Sequence, residues 1–193
     1  MQHSSLSSQP DRRALLAQRQ ALESDPGHAR CVADLQRGLL ALLERLRPRC
    51  VALYWPMRGE FDPRPAIQDW LAADAARAAA LPDVTGPALP MRFLAWAPGS
   101  AMVSGAYDIP VPKDGKPIVP DLILLPCLGF SLEKGLRYRL GYGGGYYDRT
   151  LAAFGQARPV CVGLAFEAGR LESLGPQAHD APMDHVVTER GTF

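Results

Sequence analysis

The chain has 193 residues, 47% of them hydrophobic, enough to bury one substantial core and too few to require two. Its 21 basic and 20 acidic residues leave a formal net charge of +1, which excludes a global field that would gather nucleic acid or anionic lipid, so an anionic ligand must be caught locally. Cys31, Cys50, Cys127 and Cys161 form no C-x-x-C pair and have no histidine at zinc-finger spacing; they read as buried thiols of a reducing compartment. The opening MQHSSLSSQP lacks the apolar stretch of a secretory signal, and no run reaches the roughly 20 apolar residues of a membrane helix. The expectation is a soluble, cytoplasmic monomer, with 1–10 a flexible leader and 11–193 a single domain.

In chain order, 12–22 has helix-forming composition, and 31–46 carries Val32, Leu35, Leu39, Leu42 and Leu46 near one helical stripe. A short apolar run, 50–54, predicts the first strand, followed by the polar loop MRGEFDPRP, in which Asp62 can cap a helix read over 66–80. Residues 78–81 can open a second strand before the Pro/Gly-rich stretch 82–90, and 91–97 is a third candidate. Residues 98–120, rich in Pro, Gly and Asp, predict a surface excursion. A buried strand at 122–125 is followed by a predicted loop over 126–142, a helix over 145–154 and a strand over 160–165. Strands alternating with helices argue for a three-layer α/β domain with a mainly parallel sheet, whose ligands bind at the carboxyl ends of strands. The loops after Tyr54, Leu125 and Ala165 would then share one edge.

The densest chemical signal is Arg139-Leu140-Gly141-Tyr142-Gly143-Gly144-Gly145-Tyr146-Tyr147-Asp148-Arg149, which places four glycines in five positions just before a helix. Such a loop can present bare N–H groups in front of a helix N-terminus, a cradle for phosphate with Arg139 as a cation at its rim. It is neither common phosphate motif. The one Gly-Lys, Gly115-Lys116, precedes Pro117 rather than Ser or Thr, and a dinucleotide fingerprint would need glycine at Tyr146. Taken alone, the glycines also fit a tight strand-to-helix turn, and Asp148 also fits a first-turn helix carboxylate. Tyr142, Tyr146 and Tyr147 offer flat walls to an aromatic ligand, and Asp148 is a hard oxygen ligand beside the cradle. His179 next to Asp180 forms no triad with any second partner in the sequence.

The run RLGYGGGYYDR after DLILLP resembles the signature of the 5-formyltetrahydrofolate cyclo-ligase family, also called methenyltetrahydrofolate synthetases. The Arg-rich first helix, YWPMRGEFD, VGLAFE and HDAPMDHVVTE are similar to further family segments in the same order, so the resemblance covers nearly the whole chain. It implies a NagB/ribose-isomerase-like α/β fold and an ATP- and Mg2+-dependent closure of 5-formyltetrahydrofolate to 5,10-methenyltetrahydrofolate, releasing ADP and phosphate.

Position by position, the resemblance implies ATP binding by Arg12, Arg13, Arg139 and Leu140 and by the loop Gly141, Tyr142, Gly143, Gly144, Gly145, Tyr146 and Tyr147. Residues Tyr142 to Tyr146 would also approach the folate, together with Trp55 and Glu60. Asp148 and Asp180 match magnesium ligands, and Arg139, Tyr147 and Asp148 are the implied catalytic set. Arg19 is a further basic position of the first helix that could reach phosphate. Two departures stand out: Ser7, Ser8 and Gln9 replace an expected upstream lysine, and 130–138 is longer than the usual link to the glycine loop. A relative that binds without turnover, or a sugar-phosphate isomerase of similar architecture, is the alternative reading.

Overall fold

The computed structural model describes residues 11–176 and 180–193. The expected leader, 1–10, and His179 lie outside the described residues. Helix α1 (Arg12–Leu22) begins where Asp11, in extended backbone, accepts hydrogen bonds from the amides of Arg13 (2.9 Å) and Ala14 (3.3 Å). Helix α2 (His28–Leu46) buries Leu35, Leu39, Leu42 and Leu43 and stops at Arg47, which turns left-handed just before Pro48.

The chain continues through β1 (Cys50–Ala52), α3 (Arg64–Ala72), β2 (Ala78–Asp83), β3 (Arg92–Trp96), β4 (Met102–Ser104), β5 (Pro110–Pro112), β6 (Leu122–Pro126), β7 (Gly129–Glu133) and β8 (Leu136–Leu140). It ends with α4 (Tyr146–Phe154), β9 (Val160–Leu164), β10 (Arg170–Leu171), β11 (His185–Thr188) and β12 (Gly191–Thr192). The main sheet has the order β12-β11-β9-β6-β1-β2-β3. Its five inner strands are mutually parallel and its two edges antiparallel, so the expected mainly parallel α/β architecture is observed.

Alternation along the inner strands divides the core between two faces. Val51, Leu53, Leu122, Leu124, Val162 and Leu164 pack with the apolar stripe of α2 and with Ile67 and Trp70 of α3. Ala52, Ile123, Leu125 and Cys161 face the other way and are covered by Leu151 of α4 and Phe130 of β7. The result is three layers.

Three sequence expectations change. The helix read over 66–80 ends at Ala72; Arg77 donates to the Trp70 carbonyl (2.7 Å) and stacks on the Trp70 ring, and the strand expected from 78 is observed and runs on to Asp83, between β1 and β3. Alanine's helix preference yields here to burial, because Ala79 and Ala80 are almost wholly enclosed. The excursion 98–120 contains the β4–β5 hairpin. The segment read as a loop over 126–142 is largely the β7–β8 hairpin, closed by Lys134 and Gly135, both left-handed. Cys50, Cys127 and Cys161 are buried thiols as expected, whereas Cys31 is half-buried.

Candidate active site

One large cavity of about 1070 Å³ opens at the carboxyl ends of β1 and β6. Trp55, Met57, Arg58 and Glu60 after β1, Pro126 ending β6, and the glycine loop between β8 and α4 all border it. The chain after Ala165 arrives indirectly: it first forms a single turn at Glu167–Gly169 and then β10, and reaches the cavity at Ser173, Asp180 and Ala181. That volume lies at the top of the roughly 300–1,000 Å³ usual for small-molecule pockets.

The glycine loop forms one wall. Gly145 caps α4 in left-handed backbone (φ 64°), and a Cβ there would stand 2.6 Å from Arg149 Nη1. At Gly141 a Cβ would stand 2.7 Å from Arg139 Nη1, so the bare backbone admits that guanidinium. Among the described residues, the amides of Gly143, Gly144 and Gly145 donate to no protein acceptor, and they lie at the positive end of α4. Arg139, its side chain 9% exposed, donates from Nη2 to both carboxylate oxygens of Asp148 at 3.2 Å and lies over the Tyr147 ring. Burial pushes the Tyr147 phenol well above its ordinary range, so the ring is a neutral wall. Arg149 donates to the Gly144 carbonyl (2.7 Å) and stacks on Tyr146, whose hydroxyl meets that of Tyr107 at 2.6 Å.

Glu60, which borders the same cavity, is held at depth, its side chain 4% exposed. Its Oε2 accepts from the Met57 amide (2.9 Å), and its Oε1 accepts from the Tyr142 hydroxyl (3.0 Å). Burial raises the Glu60 carboxyl above its ordinary value, opposed by the Met57 amide, Arg19, Tyr142 and Arg58. The guanidinium groups of Arg19 (5.7 Å) and Arg58 (5.5 Å) both approach the Tyr142 ring. The lining therefore combines bare amides and cations with a buried acceptor and aromatic surface. That pairing suits a polyanion next to a flat, N–H-bearing heterocycle.

A sequence profile described as the 5-formyltetrahydrofolate cyclo-ligase family matches residues 5–189. The chain belongs to that family. The 5-formyltetrahydrofolate cyclo-ligase of Haemophilus influenzae is 30% identical over 178 residues, covering 89% of this chain and 87% of its own. That of Escherichia coli K12 is 34% identical over 145 residues, 72% of this chain and 76% of its own. The solved 5,10-methenyltetrahydrofolate synthetase of Aquifex aeolicus superposes with a TM-score of 0.71 at 30% identity, over 94% of this chain and 89% of that one. The Mycoplasma pneumoniae synthetase gives 0.72 at 22% identity over 92% and 96%, a likeness of fold.

The residues implied by the family resemblance are distributed unevenly. Trp55, Glu60, Arg139, the whole loop from Leu140 to Tyr147, Asp148 and Asp180 border the one cavity. Arg12 borders it too and donates from Nε to the Gly141 carbonyl (3.1 Å), whereas Arg13 is exposed and not among the lining residues. Arg64 stacks on Trp55 at 4.2 Å and pairs with Asp62, which fixes the indole at the cavity wall. Among the described residues no three metal-ligating side chains cluster. Asp148 and Asp180 on a shared cavity still suit magnesium, which takes one or two carboxylates and completes its shell with phosphate oxygens and water. Sequence reasoning missed Tyr107, the rim residue touching Tyr146, and the depth at which Arg19 lies; an aromatic inside a Pro/Gly-rich excursion was the available signal for the first.

Proposed function

We propose that this chain cyclises 5-formyltetrahydrofolate to 5,10-methenyltetrahydrofolate at the expense of ATP, releasing ADP and phosphate. The observation that carries this reading is one large cavity whose lining holds both an amide-and-arginine cradle and the buried Glu60 acceptor. A formamide oxygen is a poor leaving group. In the proposed reaction that oxygen attacks the γ-phosphorus of ATP, and the bond to the departing ADP breaks. N10 then adds to the activated formyl carbon and loses its proton, and the C–O bond breaks to expel phosphate.

Each wall has a stated part. The amides of Gly143 to Gly145, Arg139 and Arg12 bind and orient the phosphates, and Tyr142 and Tyr146 give the heterocycles flat surface. Glu60 accepts N–H bonds from the pterin, and Trp55 packs beside it. Asp148 and Asp180 are the carboxylates that would hold magnesium, which when bound supplies charge neutralisation to the phosphates. Holding both reactants in line is most of what such a transfer requires. We further propose a NagB/ribose-isomerase-like classification for the fold, a single functional domain over 11–193, a monomer and a cytoplasmic site of action. Among the described residues no helix is long and apolar enough to cross a membrane.

The test is the absorbance of the methenyl product with purified protein, 5-formyltetrahydrofolate, magnesium and ATP, omitting each in turn. Growth of the band only in the complete mixture supports the reading. No growth from a folded protein that still binds folate overturns it in favour of a non-catalytic relative.

A further inference from the structure

Arg19 lies deeper than any other cation of the first helix. It follows Arg12 by seven residues, two helical turns, so both lie on one face of α1, while Arg13 is rotated about 100° away. Arg12 reaches the glycine loop at the cavity rim. Arg19, 6% exposed, does not border the cavity at all.

All three nitrogens of its planar fork donate hydrogen bonds. Nε and Nη2 donate to the Arg58 carbonyl at 3.2 and 3.1 Å, Nη1 donates to the Cys127 carbonyl at 3.5 Å, and Nη2 also donates to the Tyr142 hydroxyl. Nη1 stands 3.9 Å from Glu60 Oε1. One guanidinium therefore ties α1 to three segments: the loop carrying Glu60, the chain just after β6, and the glycine loop through Tyr142. Tyr142 then relays the contact by donating to Glu60.

We propose that Arg19 is a positioning residue for the folate half of the site, which fixes Glu60 and Tyr142 in the geometry that accepts the pterin and does not itself touch ATP. This rests on the reading that Glu60 faces the folate. The sequence groups Arg19 with phosphate-reaching cations; its burial and its partners assign it to the other substrate. A buried carboxylate keeps its charge only when compensated, and Arg19 is the buried cation beside Glu60. A lysine would keep the charge but lose the fork that reaches two carbonyls and a phenol together.

The test measures KM for 5-formyltetrahydrofolate and for MgATP separately in wild type, R19K, R19M, E60Q and R19M/E60Q. R19M is expected to raise the folate KM about 10- to 100-fold, the range for losing a hydrogen bond to a charged group, with the ATP KM changing less than about threefold. R19K falls between wild type and R19M. R19M/E60Q matches the worse single variant instead of multiplying the two effects, because the residues act as one unit. If R19M folds poorly, the double variant, which leaves no uncompensated buried charge, and R19K carry the same comparison. An ATP KM that rises as much as the folate KM, or multiplicative effects in the double variant, overturns the assignment. Absence of turnover in wild type would instead overturn the parent reading.

Discussion

The two walls of the cavity hold their charges differently. On the wall of Glu60 and Tyr142, backed by Arg19, the charges are buried and satisfied by fixed protein partners, so that wall is formed before any ligand arrives. On the wall of Arg139, Asp148 and the glycines, the cation is paired with a carboxylate that is one-third exposed, and amides of the loop have no protein acceptor among the described residues. There a ligand replaces protein partners: phosphate can take Arg139, and a cation can take Asp148. Fixed acceptors suit a neutral heterocycle recognised by hydrogen bonds, and exchangeable charges suit a polyanion whose phosphoryl group must leave.

Breaking the exchangeable wall gives the largest effects. D148N keeps the shape of the site and removes a carboxylate, and is expected to lower kcat about 100- to 1,000-fold with an unchanged thermal unfolding midpoint; wild-type rates at saturating magnesium would remove Asp148 from the metal assignment. R139A is expected to weaken ATP about 10- to 100-fold and folate little. On the fixed wall, Y142F removes the hydroxyl shared by Arg19 and Glu60 and raises the folate KM about 10-fold, read from initial rates at saturating ATP.

The smallest effect lies at the edge shared with the segment leading to Asp180. Glu133 accepts from the Ser131 hydroxyl, the Leu174 amide (2.8 Å) and the Ser173 hydroxyl (2.8 Å). Partial burial pushes its carboxyl up, but these hydrogen bonds outweigh it and hold it below the ordinary 4.5. A depressed folded value means the contribution is present above pH 4.5 and lost as the pH falls through the folded value. E133Q is therefore expected to cost about 1 kcal/mol at neutral pH, discounted for solvent screening, in urea unfolding. The two proteins converge in acid; a constant gap would assign the effect to packing.

The central strands are legible because 122–125 and 160–164 are continuous apolar runs, the pattern of strands covered on both faces. The glycine loop is legible because four glycines before a helix leave few local alternatives. The β7–β8 hairpin was not: its two-residue turn uses Lys134-Gly135, with lysine where asparagine or aspartate is the usual signal. The apolar alternation of Phe130 and Leu132, then Leu136, Tyr138 and Leu140, was the cue available. Arg19 shows the deeper limit. Its place on a basic helix face is readable, but its burial depends on three segments that converge only in the folded chain.

The most direct test of this division sets R139A beside R19M in calorimetric titrations, each with 5-formyltetrahydrofolate alone and with MgATP alone. A crossed pattern is predicted, in which R139A loses ATP and keeps folate while R19M loses folate and keeps ATP. Parallel losses of both ligands in either variant would contradict two walls that act separately.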